Sequence, residues 1–125
     1  MTISTSYTAP DGDPVAGVTT ELNYPESKVV IPGVGSDPSV VARVTNLTGV
    51  QGLFNVGDDD SVLNVGLVAI GPNIPPGSFA RAVFDCVPGQ PVPTAVEFTC
   101  SPSVAALSGE TVSPATCSAA VTIQP

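Results

Sequence analysis

The sequence predicts an all-β protein, and three observations support this prediction. Residues 15–24 alternate between inward and outward side chains with period two, as a half-buried strand does. Similar runs recur about every ten residues, separated by Pro, Gly, Asn and Asp. No segment keeps the 3.6-residue apolar period of a helix over a helical length. Many short strands at this spacing favour a two-sheet antiparallel β-sandwich or a barrel.

The N-terminal half contributes four predicted strands. Strand 2–9 ends at the turn 10–14, which contains two prolines, a glycine and two aspartates. Strand 15–24 follows, with an apolar face on one side and Thr19, Glu21 and Asn23 on the other. A corner at 25–27 leads to the short apolar strand 28–31, and a further strand is predicted at 40–47.

The C-terminal half contributes five more. Strand 53–56 precedes an acidic turn at 57–60, and strand 61–70 is apolar on both faces except at Asn64 and Gly66. An apolar strand of this kind is typical of the centre of a sheet. The remaining strands are predicted at 79–87, 94–100 and 119–124, and Val104–Leu107 is expected to form a single helical turn.

Composition limits the function classes. The chain has 125 residues, which suits one domain spanning 1–125, and its net charge is −8. That charge repels nucleic acid and anionic lipid, so we expect neither partner; it favours solubility, cation binding or a basic protein partner. No apolar run approaches the ~20 residues that a membrane span needs, and no signal peptide is visible.

Three cysteines are present, and their spacing matches no metal motif; the chain also lacks the histidine that would complete a zinc site. We expect a disulfide between Cys100 and Cys117, because both lie where predicted strands meet the same loop. Cys86 shares a strand face with Phe84 and Ala82 and is expected to be buried. Three reduced thiols remain the alternative. A disulfide would indicate an oxidising, extracellular or cell-surface location.

The residues offer little for catalysis. Without histidine, a Ser-His-Asp or Cys-His arrangement is impossible, and most carboxylates lie in turns. We therefore expect a protein that is not an enzyme. Asp58, Asp59 and Asp60 are candidate calcium ligands, with Asp11 and Asp13 as a weaker pair; the alternative is a solvated hairpin tip. No cofactor other than calcium is indicated.

Three blocks of the chain resemble the cohesin-type modules of bacterial cellulosomes and related surface proteins. They are GVTTELNYPESKVVI at 17–31, the apolar strand and Gly-Ser-Phe segment of 61–84, and VEFTC through CSAAVTI at 94–123. The resemblance implies a nine-stranded jelly-roll sandwich that binds dockerins, which are small calcium-loaded helical domains. It also implies that the strand matching 17–24 forms part of the binding face. The usual two N-terminal strands are represented by 2–9 alone.

Two functions are predicted. The first is an extracellular protein-binding module that recognises a dockerin-type or other protein partner through one sheet face. Its exposed polar positions would be Thr19, Glu21, Asn23 and Asn64. The alternative is a structural subunit of a bacterial surface fibre or sheath, self-assembling by strand addition or sheet stacking. Carbohydrate binding is the weakest prediction, because the chain lacks the tryptophan and surface tyrosine platforms that stack on sugars.

Overall fold

The structure is a computed structural model that describes residues 1–9, 14–69, 73–112 and 115–122. It confirms the all-β prediction, since the described residues form ten strands that pair antiparallel. A short helix, α1, spans Pro38–Val41. The strands are β1 (Thr2–Thr8), β2 (Val15–Asn23), β3 (Val29–Val30), β4 (Val44–Asn46), β5 (Gly52–Asp59), β6 (Val62–Ala69), β7 (Gly77–Val83), β8 (Asp85–Cys86), β9 (Thr99–Ala106) and β10 (Thr116–Thr122).

The strands are arranged in two four-stranded sheets and a small ribbon. One sheet has the order β10-β1-β7-β4, the other has the order β5-β6-β2-β9, and β3 pairs with β8. The apolar strand β6 lies inside its sheet, as its composition predicts. β1 is also flanked on both sides, so the N-terminal strand is not an open edge awaiting another chain.

Both sheets contribute to one apolar core. Ile3 and Ala82 of the first sheet line the same small internal void as Leu22 and Leu63 of the second. The inward positions alternate along β1, β2 and β6, in agreement with the period-two pattern in the sequence. None of the helices in the described ranges is long and apolar enough to span a membrane.

The predicted cysteine pair is confirmed. Cys100 and Cys117 lie at disulfide distance, with their Cα atoms 5.4 Å apart. Cys100 is on β9, an edge strand of one sheet, and Cys117 is on β10, an edge strand of the other. The bond therefore joins the two sheets along one side of the molecule.

The prediction of a buried Cys86 is wrong, because this thiol is exposed. Ala82 and Phe84 are buried, but β7 ends at Val83 and the chain then enters the β3–β8 ribbon. The period-two alternation holds only within one continuous strand, so it does not extend through Phe84 to Cys86.

Three other predicted elements differ from the structure. The segment predicted as strand 40–47 begins as α1, because Pro38 suits a first helical turn and Val40 packs into the core. Residues Ala95–Glu97 form a 3₁₀ turn closed by a capping box between Thr94 and Glu97. Val104 belongs to β9 rather than to a helical turn, since pairing with Val18 keeps this segment extended.

Candidate protein-binding face

The four residues predicted to bind a partner lie together on the outward side of the β5-β6-β2-β9 sheet. Thr19, Glu21 and Asn23 are exposed and alternate with the buried residues of β2. Glu21 is the cross-strand neighbour of Asn64, so β6 brings the fourth residue directly beside the other three. The structure therefore places all four on one continuous surface.

This surface extends across all four strands, and we call its outward residues the β2 face. The strand registers arrange them in four cross-strand rows. The rows are Leu53-Val68-Gly17-Ala105, Asn55-Gly66-Thr19-Ser103, Gly57-Asn64-Glu21-Ser101 and Asp59-Val62-Asn23-Thr99. Most of these side chains are short, which leaves the face with little relief.

The β2 face changes in character from one end to the other. Its first row is apolar, and Leu53 and Val68 are 62% and 51% exposed. The middle rows are mostly uncharged and polar, and the two carboxylates of the face, Glu21 and Asp59, lie toward the opposite end. An apolar end and an acidic end suit a partner that has apolar and basic groups.

The cations of the chain lie away from this face. Lys28 is paired with Glu97, with 2.5 Å between Nζ and Oε1, and Arg43 is paired with Asp85 at 2.9 Å. Arg81 projects from β7 in the other sheet. Within the described residues, the β2 face therefore carries negative charge without positive charge.

A shallow depression of about 260 Å³ lies in the middle of the β2 face. Its lining includes Gly57 and Gly66, whose missing side chains leave space between the flanking polar groups of Thr19, Asn55 and Asn64. Asn55 is not among the predicted positions, although it lies within the predicted strand 53–56, because the sequence does not show that this strand pairs with β6. The alternation of Asn55 with the apolar residues Phe54 and Val56 is the signal that could have found it.

The acidic run forms part of a hairpin. β5 continues through Asp59, so the predicted turn at 57–60 shrinks to Asp60 and Ser61, and Asp60 adopts a left-handed φ of 53°. Asp59 faces outward, whereas the carboxylate of Asp58 lies beside the Tyr24 hydroxyl at 2.5 Å. Successive strand residues point to opposite faces, which separates these two acids.

Burial raises the pKa of Asp58, and the nearby Asp59 and Asp60 raise it further, while the hydrogen bond from Tyr24 lowers it. The described residues contain no group of three or more acidic or cysteine side chains placed to hold a metal ion. Asp11 and Asp13 lie outside the described residues. Calcium binding by Asp58, Asp59 and Asp60 stays a prediction.

Comparison with known proteins gives no relative from which a function could be transferred. No protein-family model, curated protein or solved structure matches this chain.

Proposed function

We propose that the protein is a non-catalytic, cohesin-like binding module that docks a protein partner on the β2 face. The observation that supports this most strongly is the juxtaposition of Thr19, Glu21, Asn23 and Asn64 on one exposed sheet surface. Because short side chains cover this surface, a partner can approach the backbone closely over a broad area.

The proposed architecture is a jelly-roll sandwich made of the two four-stranded sheets. The shared core and the Cys100–Cys117 link between edge strands support it. The same cysteine pair supports an extracellular or cell-surface location, where disulfides persist. A dockerin is the partner that the resemblance to cohesins suggests, and the negative charge of the β2 face suits basic residues on it.

Calorimetric titration with purified dockerin domains, in calcium and in chelator, tests this proposal. We expect saturable binding in calcium and loss of binding in chelator, since dockerins fold around calcium. Asn64→Arg should abolish binding, because it places a long charged side chain in the middle of the β2 face.

The matched control is Ser118→Arg, which adds the same side chain to the exposed surface of β10 in the other sheet. This variant should bind as the unmodified protein does. Absence of dockerin binding would reject this class of partner, and binding that survives Asn64→Arg would reject the β2 face.

A fibre subunit assembled by strand addition is the second candidate, and one edge of the structure favours it. Asp58 exchanges both backbone hydrogen bonds with Gly35, so β5 directs alternate amides away from β6. Farther along the same edge, the described residues give the N–H and C=O of Phe54 no partner. An unpaired stretch of this kind can accept an added strand.

Concentration-dependent light scattering tests strand addition. An increase in mean particle mass with protein concentration would support strand addition if Phe54→Pro blocks that increase, because proline removes the outward N–H. A monodisperse monomer over a wide concentration range would reject it.

A further inference from the structure

We propose that the partner of the β2 face is a second copy of this chain, which docks through the outward surface of its β10-β1-β7-β4 sheet. In this arrangement Arg81 of one protomer lies against Glu21 of the next. The inference rests on the proposed function, since it requires the β2 face to be a docking surface, and it replaces the dockerin with a protomer of the same chain.

Charge is the first argument. Eleven acids face three cations in this chain, and two of the cations, Lys28 and Arg43, are held in ion pairs. Among the lysine and arginine side chains of the described residues, Arg81 is the one that has no ion pair, and it is exposed. The β2 face carries carboxylates without a cation. The two outward surfaces are therefore complementary in sign, although the chain as a whole is acidic.

The surroundings of Arg81 are the second argument. We call the outward residues of the β10-β1-β7-β4 sheet the Arg81 face. The register places Ser4 and Thr45 on either side of Arg81, and Ala120 lies beyond Ser4. These three side chains are short and uncharged, so Arg81 is the charged residue in this part of the sheet. Arg81 borders a shallow depression of about 520 Å³.

Shape is the third argument. Both surfaces are antiparallel sheets whose outward positions are mainly Gly, Ser, Thr, Ala and Asn. Two such sheets can approach to the ~10 Å at which sheets pack face to face. Apolar positions occur on both sides, with Val83 at 40% exposure near Arg81 and Val68 on the β2 face. Sheet stacking would cover these side chains.

The symmetry of this contact predicts the kind of assembly. The β2 face and the Arg81 face point away from the core that their sheets share. A contact between two different surfaces is head-to-tail, so each added protomer leaves one β2 face and one Arg81 face open. The product is an open linear chain rather than a closed dimer.

Sedimentation velocity from about 10 µM to about 1 mM protein tests the proposal, because this range brackets weak protein contacts. All samples carry Cys86→Ser, so that the exposed thiol forms no covalent dimer. We expect the mean mass to keep growing with concentration and to fall when the salt concentration is raised.

Charge reversal identifies the surfaces. Glu21→Arg and Arg81→Glu should each weaken self-association by roughly tenfold or more, because each places like charges together. The double variant should recover association. An equimolar mixture of the two single variants should also recover it, because the altered faces are complementary. Glu110→Arg, which makes the same charge change at an exposed loop residue that belongs to neither face, should associate normally.

The proposal is overturned if the protein stays monomeric, if it stops at a closed dimer, or if charge reversal has no effect on association. Growth that depends on the β5 edge but not on Glu21 and Arg81 would also overturn it. Dockerin binding by a protein that remains monomeric overturns this inference and leaves the proposed function intact. The proposal is supported if the protein binds no dockerin, if each single charge-reversal variant self-associates weakly, and if the double variant and the mixture recover self-association.

Discussion

The hydroxyl of Tyr24 lies 2.5 Å from Oδ1 of Asp58 and 2.8 Å from the carbonyl oxygen of Asp60, and it can donate to either. Tyr24 follows β2, and Asp58 is near the end of β5, which is separated from β2 by β6. This contact connects the corner after β2 to the acidic hairpin. Successive residues of β5 point to opposite faces, so Asp58 points away from the β2 face and Asp59 is the acid of this hairpin on that face.

The pKa of Asp58 makes a prediction about stability. Burial, aided by Asp59 and Asp60, raises this pKa above its usual value. The folded protein thus keeps the proton to a higher pH than the unfolded chain, and the contribution of Asp58 to stability falls as the pH rises between the two pKa values. Asp58→Asn keeps an oxygen that accepts from Tyr24 and removes this penalty.

We therefore expect Asp58→Asn to be at least as stable as the unmodified protein near pH 7. This difference in stability should vanish at about pH 3, because the Asp58 carboxyl is then protonated in both the folded and the unfolded protein. Urea unfolding over this range measures the difference. Arg43 lowers the pKa of Asp85 and Lys28 lowers the pKa of Glu97, so the stability that these two carboxylates contribute is lost in acid. Both proteins contain these pairs, and the difference in stability between the two proteins therefore reports on Asp58 alone. A variant that is least stable, relative to the unmodified protein, near pH 7 would contradict the account.

The disulfide prediction concerns the free energy of unfolding. Replacing Cys100 and Cys117 by serine opens a loop with a sequence separation of 17, which should lower stability by about 3 kcal/mol in the chain-entropy model. Urea unfolding measures this loss. Cys86→Ser is the control, and it should change stability by less than about 0.5 kcal/mol, since this side chain is exposed.

Two buried threonines should respond in opposite ways to the same substitution. Thr20 is 1% exposed, and its hydroxyl has no hydrogen-bond partner among the residues that the structure describes, whereas the hydroxyl of Thr5 lies 3.3 Å from the carbonyl oxygen of Ala80. Thr20→Val should raise stability by about 1 kcal/mol, because it removes an unsatisfied polar group. Thr5→Val should not raise stability, because it removes the hydrogen bond between the Thr5 hydroxyl and the Ala80 carbonyl oxygen. Equal shifts in thermal unfolding would contradict this difference.

Two glycines in β5 should also differ. A Cβ at Gly52 would overlap the carbonyl oxygen of Val68, while one at Gly57 would meet Ser36 Oγ at an ordinary 3.7 Å. Gly52→Ala should lower the free energy of unfolding by about 1–3 kcal/mol, as overpacking does. Gly57→Ala should be neutral or slightly stabilising, since glycine is unfavourable within a strand. Similar losses in both variants would show that β5 does not lie as described.

Much of this fold follows from local patterns in the sequence. The alternation in β2 predicted its two faces and its bounds to within one residue, and the apolar run of β6 predicted a central strand. Together they predict that Glu21 and Asn64 are exposed polar positions of one sheet face, and the two residues pair across β2 and β6. The cysteine pair was predicted correctly, although the strand expected to end at Cys100 in fact begins at Thr99.

The elements that sequence reasoning missed depend on distant contacts. Val104 is extended because β9 pairs with β2, which its own neighbourhood does not encode. α1 forms where Val40 can enter the core, and Asp59 stays in β5 because it pairs with Val62 across the hairpin. Tertiary contacts overrode local propensity in each of these segments.

The central claim is that the β2 face is a docking surface, and amide chemical-shift mapping by NMR tests it most directly. Labelled protein would be titrated with unlabelled protein of the same chain and, separately, with a calcium-loaded dockerin domain. We predict that the largest shifts in at least one titration cluster at Thr19, Glu21, Asn23 and Asn64. If neither titration perturbs these amides, or if the shifts map elsewhere, the claim is contradicted.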